Sequence, residues 1–477
     1  MRIEFLSAGD IEKIHSTSLE ILEKTGVLVR NIAALSLLVE AGCETISEVV
    51  RIPSNLVEEC LKKTPSSFKI YSQDGEEERL VGEGDVIFNP GSSVSNVLDH
   101  KTGAIRKATS QDLIESIQIT EVMDHISAQS TSMIPADIPN LTSDFYRLYT
   151  VLKYSKKPII SGAFRKEGIE DMLTLLTCGS SLEEWRKKPT AIFDCCPLSP
   201  LTWSDTSAQN LVDCACSGIP AEIVPAPLMG ATSPITIAGT LAQTNAEILS
   251  GIVIAQLASS RSPVVYGGAP SPLDMILATP RYGSIESMMT ACAAAEIGKH
   301  YGLPTHAYLG ISDSKTIDAQ LGFESALGLM LGALARIDII SGPGALAFIN
   351  CQSLEKLVID NEICGTAFRL TRGIDFEDFQ VIAELIAKVG HSGDFLKQRH
   401  TSKKVRQEHF MPLDIIDRMT QDSWLASGSM TTQERARRRV NAILSLPPTT
   451  DPESEYQKQL ERTMKALLSR YEVSINL

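Results

Sequence analysis

Along the chain, short β-branched and apolar runs alternate with longer stretches in which apolar positions return every three or four residues. The runs are DVIFNPG (85–91), HISAQSTSMIP (125–135), KPIISGAF (157–164), TAIFDCCP (190–197), AEIVPAP (221–227), SPVVYGGAP (262–270), PTHAYLGI (304–311) and IDIISGPG (337–344). Their starts lie roughly 30 to 42 residues apart, the length of one strand plus one crossover helix. The stretches between carry helix ends: TSQDLIESIQITEVMD opens on a Ser/Thr pair before an acidic turn, and GSIESMMTACAAAEIGKHYG stops at Gly302. Eight such units with right-handed crossovers predict an α/β fold, a (β/α)8 barrel. A doubly wound sheet would usually carry a Gly-rich phosphate fingerprint after its first strand, which NPGSSVSN does not match.

The barrel is expected over residues 85–373. Residues 1–84 form an α+β extension packed on it, beginning with a helix that Ser7 and Asp10 cap, that buries Ile11, Ile14, Leu19 and Leu22, and that Gly26 stops. Residues 374–477 form a helical extension whose charged runs, TTQERARRR and EYQKQLERTMKALLSRYEV, read as solvated helix faces or as a subunit contact in a homo-oligomer.

Charge and cysteine usage narrow the partners. Forty-four basic against 58 acidic residues give a net charge of −14, which speaks against nucleic acid. The ten cysteines show no CxxC pair and no ligand spacing with histidine, so no metal site and no disulfide framework is expected. The N-terminus, charged at Arg2 and Glu4, lacks the apolar core of a signal peptide, and the apolar stretches break before the length of a membrane span. The expected location is the cytoplasm.

Barrel enzymes carry chemistry on the loops after the strands. Those loops offer the carboxylates Asp137, Asp194, Asp274 and Asp313, with His306 the one imidazole at strand level and Arg281 the nearest guanidinium. No Ser/His/Asp set is suggested. Phe88, Phe164, Phe193, Tyr266, Tyr282, Tyr308 and Phe348 sit at or near the strand ends, as barrel core or as rings around a ligand. A mouth poor in acid/base groups and rich in rings suits a cation without hydrogen-bond donors, such as a quaternary ammonium.

A set of motifs in fixed order, PAPLMGATSPITIAGTLAQTNAEILSG, APSPLDM with YGSIES, SDSKTIDAQLGFES, SLEKLVIDNEI and HTSKKVRQEHFMPLDIIDR, resembles the trimethylamine methyltransferase family of barrel proteins. The resemblance extends to the opening LSAGDIEKIHSTSLEILEKTGVLV and to IPSNLVEECLKKTP, and so covers nearly the whole chain. The family's archaeal members demethylate trimethylamine and carry pyrrolysine in the barrel. This chain holds only the standard twenty residue types, which makes it resemble the non-pyrrolysine branch, where quaternary amines such as glycine betaine donate a methyl group to a corrinoid protein.

That resemblance implies a cobalamin supplied by a partner protein, no tightly bound cofactor, and an enzyme that aims a methyl group rather than performing acid/base chemistry. The alternatives are a methyltransferase for a tertiary or other methylamine, and a non-catalytic barrel that binds quaternary amines. Phe164, Tyr266, Tyr308 and Phe348 are expected to hold the ammonium head, with Asp313 or Glu324 as counter-charge. Arg281, His306, Asn350 or helix N-terminal N–H groups would meet a carboxylate. Asp274, Tyr282, Glu286, Asp313, Gln320 and Glu324 match the family's pattern, Gln320 and Glu324 on one helix face. Asn89, Asp194, Pro197, Met229 and Gly268 complete the expected mouth.

Overall fold

Each of the eight apolar runs holds a strand in the computed structural model of the chain, which describes residues 3–91 and 93–475. Arg2 lies outside the described residues. In chain order the strands are β1 (Ile87–Asn89), β2 (Gln129–Ser130), β3 (Ile159–Gly162), β4 (Ala191–Cys195), β5 (Ala221–Ile223), β6 (Val264–Tyr266), β7 (His306–Tyr308) and β8 (Ile339–Ser341). Parallel ladders join β2 through β6 in order, and β7 to β8 to β1. Two seams close the ring. Tyr266 bridges Thr305 in parallel, and the N–H groups of Ser127 and Ala128 donate to the Phe88 carbonyl at 3.0 and 3.2 Å. The fold is the (β/α)8 barrel that the spacing predicts.

The outer ring consists of α1 (Ser110–Glu121), α2 (Ser143–Tyr154), α3 (Gly168–Leu176), α4 (Asp205–Ser217), α5 (Ile237–Ala258), α6 (Ile285–His300), α7 (Ala319–Leu334) and α8 (Leu354–Arg372). The Ser/Thr opening of α1 is a capping box between Thr109 and Asp112. Buried along most of its length, α5 is the one helix among the described residues long and apolar enough to cross a membrane, and 83% of that stretch is buried. The helices Ala8–Glu20 and Ser54–Lys63 pack on it from the N-terminal segment, so α5 has no solvent-facing side along most of its length, and its polar side chains such as Asn245 and Gln256 bond within the fold. Ser7 and Asp10 do cap Ala8–Glu20, but the chain continues through a wide turn, Ile21–Thr25, before Gly26 stops it at φ 76°.

Inside the barrel the pleat sorts apolar from polar. Ile87, Ala128, Ile160, Ile192, Val265 and Ile339 form an apolar layer, plugged at the N-terminal end by Ile70 and Val81 of the hairpin Phe68–Tyr71/Glu78–Val81. Two residues further along their strands stand Asn89, Asp194 and Ser341, and Glu222 and His306 complete a polar layer. Chemistry is thereby confined to the C-terminal end of the strands.

The breaks at Gly310 and Gly342, after β7 and β8, come from close packing. A Cβ on Gly310 would meet Pro343 at 2.7 Å, and one on Gly342 (φ 125°) would meet the Gly310 backbone at 3.0 Å. Beyond the strands, segments that read as plain loops form short ladders instead. Leu228–Met229 pairs with Ser271–Asp274, and Ala345–Leu346 pairs with Cys351–Gln352. Such pairs are two to four residues long and draw on separate loops, so no local periodicity announces them. Residues 373–414 include the helices Ile382–Val389 and Arg399–Glu408 and bury no side chain, whereas Thr432–Leu444 packs on α8 and Glu455–Arg470 on α2 and α3.

Candidate active site at the barrel mouth

A cavity of ≈ 630 Å³ lies over the strand ends. Gly162 and Phe164 contribute from β3 and its loop, Asp194 from β4, Val224 from the end of β5, Tyr282 from beyond β6 and Tyr308 from β7. Pro197, Leu198, Ala226, Leu228, Ala269 and Ile349 make most of the remaining wall apolar, and α4 presents Ser204, Thr206 and Ser207 at its N-terminal end. Among the described residues, the wall contains one charged side chain, Asp194, and no lysine, arginine or histidine. The Tyr308 hydroxyl donates to Asp194 Oδ2 at 3.4 Å across the barrel axis.

Below this wall lie the polar inward positions of the barrel. Glu222 is fully buried, beside Asp194 in the β4–β5 register. His306 Nε2 is 3.0 Å from Ser341 Oγ and 3.8 Å from Glu222 Oε2. Burial pushes the His306 imidazole down to about 3, so it is neutral and cannot serve as the cation for these carboxyls. Burial first, and then the charge of Asp194, push the Glu222 carboxyl well above the usual carboxylate range. Asn89 closes the layer, its amide donating to Ser341 Oγ at 2.8 Å. Sequence reasoning missed Glu222 because it sits inside the apolar run AEIVPAP rather than after it. A lone carboxylate in a buried-strand pattern was the available signal.

Of the expected site residues, Phe164, Asp194, Pro197, Tyr282 and Tyr308 line the cavity. Gly268 is next to the lining residue Ala269, and His306 and Asn89 lie beneath the wall. Phe164 also has the Arg147 guanidinium 4.8 Å from its ring centroid, so one ring face is already engaged by a cation. Arg147 itself, fully buried on α2, donates to Ser93 Oγ at 3.2 Å and to the Thr131 carbonyl at 3.0 Å, joining the loops after β1 and β2.

Other expected residues lie elsewhere. Tyr266 is buried outside the barrel wall, where its hydroxyl donates to Asn245 Oδ1 of α5 at 2.9 Å. Its place at the odd phase of β6 turns it away from the axis. The Phe348 ring is covered by Lys315 Nζ at 4.1 Å, and Met229 is buried in the ladder with Pro272. Arg281 is ion-paired with Asp274, which also caps the N–H groups of Ile276 and Leu277 at 2.9 Å. Asn350 is exposed, accepting from Ser95 Oγ at 3.2 Å, and Glu286 is exposed in the first turn of α6.

Asp313, Gln320 and Glu324 form a support behind Tyr282. Glu324 accepts from Ser312 Oγ and from the Asp313 N–H, both at 2.7 Å, and from Gln320 Nε2 at 2.9 Å. Its carboxyl fills the space that a Cβ on Gly283 would take. Burial pushes the Asp313 carboxyl up to about 6, against hydrogen bonds from the Gly283 and Tyr282 N–H groups that favour ionisation. Between the ordinary value of 3.8 and about 6 the folded state holds a proton that the unfolded state has lost, so stability declines as pH rises through that window. A shift of this size is worth about 3 kcal/mol. Asp313→Asn should therefore match the wild type in thermal stability near pH 4 and exceed it near pH 8. A gap that does not change with pH would refute the assignment.

Barrel, mouth cavity and ring-lined wall together define an enzyme scaffold for a small organic ligand. The family model described as Trimethylamine methyltransferase (MTTB) matches residues 1–466, and the chain belongs to that family, an enzyme of the methyltransferase class. The chain is 30% identical to the glycine betaine methyltransferase of Desulfitobacterium hafniense (strain Y51), over 96% of each chain. It is also 30% identical to the trimethylamine methyltransferase MttB of Methanosarcina thermophila, over 93% of each. Among solved structures, the monomethylamine methyltransferase MtmB of Methanosarcina barkeri superposes with a TM-score of 0.52 at 12% identity, over 91% of this chain and 87% of that one.

Proposed function

We propose that the protein is a cytoplasmic methyltransferase for methylated amines that takes a methyl group from a quaternary amine, glycine betaine first among them, and delivers it to the cobalt of a corrinoid carried by a partner protein. The observation that carries this reading is the cavity wall, in which Asp194 is the one charged side chain among the described residues and stands among the rings of Tyr308, Tyr282 and Phe164. Such a wall attracts a permanent cation that makes no hydrogen bonds. The resemblance to a glycine betaine methyltransferase over almost the full length of both chains points the same way.

The chemistry agrees with the composition of the wall. A quaternary ammonium leaves as a neutral amine, so no general acid has to protonate it; a tertiary amine would leave as an amide anion and would need one. Reduced cobalt supplies the nucleophile when the partner docks. The residues of this chain bind and aim: Asp194 and the tyrosine rings fix the ammonium head, the apolar wall excludes water, and Ser204, Thr206 and Ser207 at the start of α4 face the substrate's carboxylate. The Asp313–Glu324 support keeps Tyr282 in place.

Methyl transfer to reduced cobalamin, free or on a corrinoid protein, tests the reading with glycine betaine, proline betaine, carnitine, choline and trimethylamine offered separately. Turnover with a quaternary amine alone is the expected result, and turnover with trimethylamine alone would overturn it.

The same protein is proposed to assemble with copies of itself. Ile374, Phe376, Phe379, Leu396 and Met411, all in one segment, are between 64% and 84% exposed, more apolar surface than an isolated chain keeps in water. Light scattering should give a multiple of 51.8 kDa, and a monomer mass at micromolar concentration would exclude it.

A further inference from the structure

Glu222 raises a question that the proposed function leaves open. Its side chain is fully buried at the centre of the barrel, and neither carboxyl oxygen receives a hydrogen bond from a donor among the described residues. The titratable groups around it are the Asp194 carboxyl of β4 beside it, the thiols of Cys195 and Cys196 at and just beyond the end of that strand, and the His306 imidazole of β7. His306 is neutral, with Nε2 at 3.0 Å from Ser341 Oγ and no closer than 3.8 Å to Glu222. A carboxylate in such a place, with no donor and no cation, would carry a desolvation cost that nothing offsets. A carboxylic acid there needs only an acceptor, and Asp194 is within hydrogen-bonding reach.

We propose that Glu222 is a positioning residue that works as a neutral acid: it donates its O–H to Asp194, so the buried pair carries one negative charge, and that charge is held on Asp194 facing the cavity. The consequence for the substrate is a match of charge. One fixed negative charge balances one quaternary ammonium, whereas two would draw in a second cation or a proton with every substrate. The donated hydrogen bond also orients the Asp194 carboxylate between Glu222 below and Tyr308 above. This inference deepens the reading given under the proposed function and rests on it for the identity of the ligand, but the protonation of Glu222 is a property of the protein alone.

Two measurements separate the two claims. Infrared difference spectra of ligand-free protein should show a protonated-carboxyl C=O band in the wild type that Glu222→Gln removes. Absence of that band from the wild type, or its survival in the variant, would overturn the proposal whatever the substrate is. Binding of tetramethylammonium, a probe with one permanent charge, then tests the positioning role. Glu222→Met should weaken it by about 10- to 100-fold, the effect of losing a hydrogen bond to a charged group, and Glu222→Gln, which keeps a donor and the shape, should recover most of that loss. Gln as damaging as Met would mean that the carboxyl works as a charge or as an exchanging acid. Met as benign as Gln would mean that the side chain only fills space. If tetramethylammonium fails to bind the wild type while the infrared band is present, the substrate reading fails and the neutral acid stands.

Discussion

Asp194→Asn should weaken the binding of a quaternary ammonium by two to three orders of magnitude while leaving the fold intact. The substitution preserves size and an acceptor for the Tyr308 hydroxyl, so what is lost is charge. An ammonium carbon shell keeps the two charge centres about 4 to 5 Å apart, where at an effective dielectric constant of about 20 the attraction is about 3 to 4 kcal/mol. That corresponds to roughly 100- to 1,000-fold in affinity. Ring contacts are worth less, about 0.5 to 2 kcal/mol each. Phe164 should contribute at the low end, because Arg147 already occupies one face of its ring. Calorimetric titration of glycine betaine and tetramethylammonium, with a melting curve as control, reads the effect. A loss below about tenfold in a normally folded variant would remove Asp194 from the role of counter-charge.

Lys356→Met should be the most damaging single change to stability among those considered. Lys356 and Asp360 form an ion pair on α8 with both side chains at 0% exposure. Lys356 Nζ donates to the Gly310 carbonyl at 2.7 Å, and the Gly344 N–H donates to Asp360 Oδ2 at 2.7 Å. The pair thus holds the loop after β7 to the loop after β8, where Gly310 and Gly342 pack backbone to backbone. Burial pushes the lysine down and the aspartate up, and each partner pulls the other back toward its charged form. Methionine leaves the aspartate buried without its cation, which costs about 3 to 5 kcal/mol. Removing both charges in a Lys356→Met/Asp360→Leu double variant should recover part of this, because the Gly310 carbonyl has already lost its donor in the single variant and the double variant adds only the unpartnered Gly344 N–H, at about 1 to 3 kcal/mol, while it removes the uncompensated charge. Thermal midpoints of the three proteins decide it. A double variant less stable than the single one would show that the backbone contacts matter more than the charge.

How much of this was legible in the chain follows from what each feature depends on. The eight strands were readable because a parallel strand buried on both faces is a short continuous apolar run, and the spacing between runs is set by the length of a crossover helix. Helix starts at Ser7 and Thr109 were readable because capping is local. The family was readable because its motifs recur in order along the chain. The site was readable only in part. Tyr266 and Tyr308 look alike in sequence, each at the end of an apolar run, yet one faces α5 and the other the axis, because strand register and barrel tilt choose the face. Arg281 and Asn350 looked available to a carboxylate, but each is taken by a neighbour brought in by folding.

The sequence by itself determined the period, the barrel and the kinship, since all three rest on patterns along one dimension. Only the tertiary structure decided which polar groups meet, because Glu222, Asp194 and His306 come from three strands and become partners when the ring closes. It is that closure which takes them out of water, and burial is what turns an ordinary glutamate into a group poised to hold a proton and an ordinary histidine into a neutral one.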